Sequence, residues 1–302
     1  MTTREIGKIV EQLYGHYYSP QTISVITKQL DEKVKEYHSR KITKDYVVVY
    51  ADSTYISVKR GTVGKEALYI LIGITISGEK EILSYELFPT ESPENYKDML
   101  EDLKKRGLNR VLLFVTDGLK GIKEKLEEAF PKAKYQTCWT HVIRNILLKV
   151  RSKDKAEISE DLKVVYQASA KDEAEKNLAL FIDKYKEKYP KVTNSLLDIR
   201  DCLFTYYLFP KSIRRSIYTT NIIENYNKHL KKGIKKKEQF PNEQSLKRYV
   251  CVSACEYNVK YAGISHYGFS MAKEEGCILN PGHGKIPAPD FNFYIQKDKY
   301  PI

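Results

Sequence analysis

Two short runs of apolar and β-branched residues each lead into an aspartate, and this repeat constrains the fold more than any other feature. The first run, Tyr46–Tyr50, continues through Ala51 to Asp52, and the second, Arg110–Thr116, is followed at once by Asp117. Runs of this length and composition are typical of buried β-strands. If the two strands are neighbours, their carboxylates lie close together, where two like charges are costly unless a cation bridges them.

The residues between these two runs predict that the strands are parallel neighbours. Leu68–Thr75 and Glu81–Phe88 are two further strand-like runs separated by turn residues, so the first three strands should form an antiparallel meander. A helical pattern over Pro93–Arg106 then provides a crossover that lets the fourth strand run parallel to the first. The alternative, that each aspartate simply begins a turn, stays open.

Helical patterns surround this predicted sheet. Near the N-terminus two of them, separated by Gly15 and Ser19-Pro20, indicate a helix-turn-helix, although any two amphipathic helices would give the same periodicity. The sequence thus predicts an α/β (α+β) fold in five parts. These are a helical N-terminal segment (1–45), the first part of the core (46–152), a helical insertion (153–210), the completion of the core (211–257) and an irregular C-terminal tail (258–302).

The charge balance favours an anionic partner. The 302 residues include 51 Lys and Arg against 39 Asp and Glu, which gives a formal net charge of +12. Nucleic acid is the usual partner of such a surface, although an ordinary basic enzyme is the alternative. No apolar run reaches the length of about 18 residues that a transmembrane helix needs, and five scattered cysteines do not form a disulfide framework. We therefore expect a soluble protein of a reducing compartment.

The segment from Asp117 to His141 carries the most specific motif. It resembles the signature of the Mutator-type transposases of bacterial insertion sequences, and a second matching stretch, Ile217–Glu224, lies downstream. The residues that carry the resemblance in the first segment are Asp117, Gly121, Ile122, Ala129, Phe130, Pro131, Ala133, Gln136, Cys138 and His141.

This resemblance implies a DDE transposase with an RNase H-like catalytic core and an α-helical insertion domain. It implies that Asp52, Asp117 and Glu224 are the catalytic triad and hold two Mg²⁺ ions, with Mn²⁺ as a substitute, because carboxylate oxygens are the ligands that these ions prefer. The implied reaction is DNA cleavage and strand transfer at insertion-element ends. The implied partners are double-stranded DNA of the terminal inverted repeats and the target, and further copies of the chain in a homodimer or larger assembly. The implied location is the prokaryotic cytoplasm, at the nucleoid. Compared with the family layout, the short N-terminus predicts a truncated member.

The role of the Cys138-x-x-His141 pair is left open by the sequence. It provides half of a zinc site, but no second pair stands at suitable spacing, so structural support of the active site or a DNA contact are the other interpretations. Basic residues near this motif and on both sides of Glu224 are candidates for phosphate binding, although a lysine run is often only a solvated face. These residues are Arg144, Arg214, Arg215, Lys228, Lys231, Lys232, Lys235, Lys236 and Lys237.

Two other functions remain as alternatives. A catalytically inactive transposase remnant would bind DNA through the same basic residues without using the triad. An RNase H-like nuclease or resolvase would cut DNA without joining strands. A nucleotide-dependent small-molecule enzyme is disfavoured, since the sequence contains no phosphate-binding loop or dinucleotide fingerprint.

Overall fold

A five-stranded mixed sheet forms the centre of the protein. The structure, a computed structural model, describes residues 17–274 apart from 61, 236–239 and 241, together with a few isolated positions before residue 17. The sheet has the order β3-β2-β1-β4-β5. Its strands are β1 (Tyr46–Arg60), β2 (Thr62–Thr75), β3 (Lys80–Phe88), β4 (Val111–Thr116) and β5 (Lys134–Thr137).

Helices cover both faces of this sheet, and the elements after residue 150 are all helices in the part of the chain that the structure describes. In chain order the α-helices of the described residues are α1 (Pro20–Lys28), α2 (Leu30–Ser39), α3 (Pro93–Lys105), α4 (Ile122–Ala129), α5 (Trp139–Lys149), α6 (Lys155–Tyr166), α7 (Lys171–Tyr185), α8 (Pro190–Asp198), α9 (Arg200–Leu203), α10 (Lys211–Ile217), α11 (Asn221–Lys235), α12 (Glu243–Tyr261) and α13 (Phe269–Glu274). Short 3₁₀ helices lie at Ser152–Asp154 and Thr205–Leu208. None of the helices described is long and apolar enough to cross a lipid bilayer.

The strand directions confirm the predicted core. β1, β2 and β3 pair in antiparallel fashion, and β4 runs parallel to β1 after the crossover through α3. The predicted end of the first strand was wrong, because β1 continues beyond Asp52 to Arg60 in an unbroken pairing with β2. Its pairing with β4 does stop at Ala51, opposite Thr116. Asp52 therefore lies where the pairing of β1 with β4 has ended, while its pairing with β2 continues.

The two faces of β1 are buried against different helices. Val48 and Tyr50 belong to the apolar cluster that includes α11 and α12, whereas Val49 and Ala51 pack with α3 and α4. Side chains of a strand alternate between the two faces of the sheet. Asp52 therefore faces the side that α11 covers.

The segments outside the sheet differ in part from expectation. The first helix of the proposed helix-turn-helix lies outside the described residues, and the second is divided at Gln29 into α1 and α2. α2 is bound to the rest of the protein, since Tyr37 is buried and Asp31 accepts two hydrogen bonds from the Arg248 guanidinium, at 2.6 and 2.7 Å. The tail that we expected to be irregular from residue 258 contains the end of α12 and all of α13.

A buried glutamine joins the sheet to the helices that follow α5. Gln136 on β5 donates hydrogen bonds to the carbonyls of Thr137 (2.7 Å) and Leu203 (3.0 Å), and its own carbonyl accepts from the Tyr206 N–H (3.0 Å). The Trp139 indole N–H donates to the same Leu203 carbonyl at 2.8 Å. All five side chains are nearly or completely buried, so these hydrogen bonds fix where residues 203–206 lie against β5.

We expect Gln136→Leu to lower the free energy of unfolding by about 2–4 kcal/mol, because it leaves a buried N–H and buried carbonyls without their partner. Urea unfolding followed by circular dichroism measures this difference. Gln167→Leu, at an exposed glutamine that ends α6, is the matched control. Equal stability of the two variants would contradict the assigned role of Gln136.

Candidate acidic active site

The two aspartates that end the predicted strand runs occupy neighbouring positions on one face of the sheet. The parallel pairing of β1 and β4 ends at Ala51 and Thr116, so Asp52 and Asp117 are the next residues in the same register. Val115 is buried on the face that α11 covers, and Asp117, two residues later, continues the same alternation. The topology thus directs both carboxylates toward α11.

A hydrogen bond from α11 holds the first aspartate. Asn227 Nδ2 donates to Asp52 Oδ2 at 2.7 Å, and both side chains are buried. On the second aspartate, Asp117 Oδ1 accepts from the backbone N–H of Leu119 at 3.2 Å. One carboxylate is therefore oriented by a facing helix and the other by the turn that follows its own strand.

Burial of these acidic groups changes their protonation. Burial, followed by the negative charge of Asp117, raises the pKa of Asp52 to about 7, although the hydrogen bond from Asn227 lowers it and Glu224 raises it further. The pKa of Asp117 is also raised, chiefly by burial, against the hydrogen bond from Leu119. Negative charge at this site is therefore unfavourable until a cation or a proton compensates it.

The third acidic residue lies in the first turn of α11 and contacts two basic side chains. Glu224 Oε1 is 3.3 Å from Arg144 Nη2 and 3.6 Å from His141 Nε2, and its side chain is 12% exposed. Its charge reaches Asp52, whose pKa it raises. Within the described part of the chain, no three His, Cys, Asp or Glu side chains are grouped closely enough to hold a metal ion in this arrangement.

The Cys-x-x-His pair supports the helix that carries Glu224. Cys138 Sγ accepts a hydrogen bond from the Thr220 N–H (3.1 Å) and lies 3.2 Å from Thr220 Oγ1. His141 Nδ1 is 3.3 Å from the same hydroxyl, while its Nε2 faces Glu224. Thr220 immediately precedes Asn221, the first residue of α11. Both residues of the pair thus contact the start of α11.

Electrostatics agree with this supporting role. Burial lowers the pKa of His141, partly offset by the charge of Glu224 and reinforced by that of Arg144. Burial raises the pKa of the Cys138 thiol, so the sulfur is held as a neutral group rather than as a thiolate. The zinc interpretation is not supported by the described residues, in which no third ligand of the searched types joins the pair.

The site contains two polar residues that sequence reasoning missed. Asn227 lies three residues after Glu224 on α11, and its Oδ1 is buried without a hydrogen-bond partner. Glu91 accepts a hydrogen bond from Ser53 Oγ at 2.6 Å, and its pKa is raised by burial and by the charge of Asp117. The spacing of Asn227 from Glu224 placed both on one side of a helix and was a usable signal, whereas nothing in the sequence pointed to Glu91.

The chemistry of the donors, rather than their grouping in this structure, suits a hard divalent cation. Asp52, Asp117 and Glu224 offer carboxylate oxygens, and Asn227, which contacts Asp52, has a buried carbonyl oxygen without a hydrogen-bond partner. Oxygen ligands of this kind suit Mg²⁺ and Mn²⁺. The raised pKa of Asp52 shows that negative charge is unfavourable here in the metal-free protein. A bound cation would compensate that charge.

Most of the predicted phosphate-binding residues that the structure describes are exposed. On α11, Lys228, Lys231 and Lys235 follow Glu224 at intervals of four, three and four residues, so they form a stripe on its side of the helix. Lys232 lies beside this stripe and is also exposed. Lys236 and Lys237 lie outside the described residues.

The arginines differ from one another in their present partners. Arg215 is exposed at the end of α10, and Arg144 is paired with Glu224. Arg214 donates to the backbone carbonyls of Phe209 (2.8 Å) and Tyr207 (3.1 Å), so a phosphate contact would have to use its remaining N–H groups.

Comparisons with known proteins show to which family the chain belongs. The chain matches the family model described as "Transposase, Mutator family" over residues 1–262. It is 43% identical over 274 residues to the transposase for insertion sequence element IS905 of Lactococcus lactis subsp. lactis (strain IL1403), covering 91% of this chain and 70% of that protein. It is 41% identical over 257 residues to the transposase for IS1201 of Lactobacillus helveticus, covering 85% and 70%. Among solved structures, the catalytic domain of Mos1 mariner transposase matches 60% of this chain and 96% of that chain at 15% identity, with a TM-score of 0.22.

The sheet order, with three antiparallel strands followed by two parallel ones, is the topology expected of an RNase H-like core. With a match over most of its length, the chain belongs to the Mutator family of transposases.

The carboxylate cluster predicts an unusual pH dependence of stability. The pKa of Asp52 in the folded protein lies above its ordinary value of 3.8, so the folded state binds a proton between about pH 4 and 7 that the unfolded chain releases. The charged carboxylate therefore destabilises the metal-free protein increasingly as the pH rises through that window. We expect Asp52→Asn to raise the free energy of unfolding at pH 8 by up to about 4 kcal/mol, at 1.36 kcal/mol per pKa unit. We expect the gain to vanish near pH 4.

Urea unfolding in EDTA from pH 4 to pH 8 measures this difference. Glu101→Gln, at an exposed carboxylate of α3 on the other side of the sheet, is the control and should show no such trend. A constant difference between Asp52→Asn and the unaltered protein at all pH values would show that Asp52 is not held at a raised pKa.

Proposed function

We propose that the protein catalyses metal-dependent cleavage of DNA and strand transfer at the ends of an insertion element. The observation that carries this proposal is the convergence of Asp52 and Asp117, at matched positions of adjacent parallel strands, with the helix that bears Glu224. Membership of the Mutator transposase family supports the same reaction class. The proposed substrates are double-stranded DNA of the terminal repeats and of the target, and the proposed acting form is a homodimer or a larger assembly.

The protein's own residues present and orient the oxygens that this chemistry needs. Asn227 orients the Asp52 carboxylate through its hydrogen bond to Oδ2. Cys138 and His141 fix the start of α11 through Thr220 and so determine where Glu224 is held. Two Mg²⁺ ions bound by Asp52, Asp117 and Glu224 would activate the attacking water or 3′-hydroxyl and stabilise the departing 3′-oxygen.

The lysine stripe of α11 provides a path for the DNA backbone toward these carboxylates. Lys228, Lys231 and Lys235 extend from Glu224 along about two to three turns of helix. Lysines in such an array position phosphates without reading the base sequence. Their exposure allows the contact, and their charge offsets the repulsion between the DNA and the acidic cluster.

We expect Glu224→Gln to abolish both cleavage and joining, with a loss of at least about 10³-fold, because the lost electrostatic stabilisation of the reacting phosphate is worth several kcal/mol. The assay follows end-labelled duplexes that carry the element's terminal repeats, in Mg²⁺ or Mn²⁺, with an unlabelled plasmid as target. The products are resolved on denaturing gels.

Glu101→Gln serves as the matched control and should keep full activity. Cleavage without strand-transfer products would favour the nuclease or resolvase alternative. DNA binding with no product from either the unaltered protein or the variant would favour the inactive remnant. Equal activity of Glu224→Gln and the unaltered protein would overturn the assignment of Glu224.

We expect Mg²⁺ to raise the melting temperature of the unaltered protein by a few degrees at pH 8, because a ligand that binds only the folded state stabilises it by about 2.7 kcal/mol at 100 times its Kd. The gain should be much smaller for the double variant Asp52→Asn with Asp117→Asn, which lacks two of the three carboxylates. Differential scanning fluorimetry with about 0–20 mM MgCl₂ at constant ionic strength measures this effect, because this concentration range also detects weak binding of Mg²⁺. An equal shift in both proteins would mean that Mg²⁺ binds elsewhere.

A further inference from the structure

A cleft between α11 and α12 has a lining that the proposed catalytic site does not use. Its volume is about 480 Å³, within the range of about 300–1,000 Å³ that is usual for small-molecule sites. Asn225 and His229 of α11 border it on one side, while the last turns of α12 and the first residue of β3 close the other. We refer to it as the tyrosine–lysine cleft, after Tyr226, Tyr257, Tyr261, Lys80 and Lys260, which line it.

One wall of the cleft is aromatic. The rings of Tyr226 and Tyr257 pack edge to face with their centroids 5.2 Å apart, and those of Tyr257 and Tyr261 lie 4.6 Å apart. Tyr257 and Tyr261 are only partly buried, so each has ring surface open to the cleft. A contiguous wall of partly exposed tyrosine rings is a surface on which a planar aromatic group can stack.

Two lysines give the cleft a positive charge, which favours an anionic ligand. Lys80 Nζ lies 3.7 Å from the centroid of the Tyr261 ring, and Lys260 Nζ lies 5.3 Å from the same ring. In the part of the chain that the structure describes, neither ammonium group forms an ion pair, and the single carboxylate of the lining belongs to the exposed Glu256. Two cations held at one ring therefore repel each other, and an anion between them would relieve that repulsion.

We propose that the tyrosine–lysine cleft binds a single unpaired nucleotide of a DNA strand, with its base stacked on the tyrosines and its phosphate held by Lys80 and Lys260. The cleft is too small for a duplex, but a base with one phosphate combines the two chemistries of its lining. Asn225 and His229 border the cleft on the same helix that carries Glu224 and the lysine stripe. A strand whose backbone follows the stripe can thus place a neighbouring nucleotide in the cleft. The inference rests on the proposed function, in that it takes DNA as the substrate.

Binding of a fluorescein-labelled (dT)₈ strand in EDTA tests the cleft without any need for catalysis. We expect the double variant Lys80→Ala with Lys260→Ala to bind about tenfold more weakly at low salt than the unaltered protein. The slope of log K against log[salt] should fall by about 0.7, the value for one lost phosphate contact to a single strand. Lys176→Ala, at an exposed lysine of α7, is the matched control and should bind as the unaltered protein does.

Photocrosslinking with 5-iododeoxyuridine at one position of the same strand provides a second, independent measurement. The expected crosslinked peptide contains Tyr257 or Tyr261, both of which are in α12. Equal binding by the double variant, or crosslinks only to peptides that do not line the cleft, would overturn the inference. Competition by thymidine monophosphate at concentrations similar to those of (dT)₈ would show a free-nucleotide site and would also overturn it.

Failure of this inference is distinguishable from failure of the proposed function. If the unaltered protein binds neither (dT)₈ nor a duplex of the element ends, the DNA-processing function itself is contradicted. If it binds and cleaves DNA but the cleft variants behave as the unaltered protein does, only the role of the cleft is contradicted.

Discussion

The structure depends on holding the carboxylates of Asp52 and Asp117 at neighbouring strand ends in a largely buried place. Asp52 and Asp117 reach it because two parallel strands end their mutual pairing at the same level, one residue before each aspartate. Burial and mutual repulsion raise the pKa of Asp52 to about 7, so the arrangement costs stability in the absence of a cation. A protein that only needed a stable core would gain from neutral residues at these positions. The cost is understandable if the function uses the negative charge, as in binding of divalent cations.

The two sequence stretches that resemble the Mutator signature, Asp117 to His141 and Ile217–Glu224, meet beside these carboxylates. Cys138 and His141 lie after β5, and Thr220 lies about 80 residues later, yet both of their side chains contact the Thr220 hydroxyl. Gln136 completes this arrangement, since it fixes the returning chain at residues 203–206 against β5.

The sequence predicted the sheet and two of the acidic positions well, because apolar β-branched runs and the aspartates that follow them are local signals. It did not predict that β1 continues to Arg60. Beyond Asp52 that strand alternates buried Thr54, Ile56 and Val58 with more exposed residues, a pattern that is weak without the partner strand. Asn227 and the contact between Arg144 and Glu224 depend on the packing of α11 over the sheet, which no local pattern specifies.

α11 connects the functional surfaces because its sides face different surroundings. One side is apolar and packs into the core through Ile223 and Leu230. Another carries Glu224 and Asn227 toward the buried aspartates and continues outward as the exposed lysine stripe. A third borders the tyrosine–lysine cleft. A rigid helix keeps such surfaces at fixed distances, so a displacement of its first turn would move the Glu224 carboxylate, the lysine stripe and the wall of the cleft together. The contacts of Cys138 and His141 with Thr220 restrain that first turn and thereby all three surfaces.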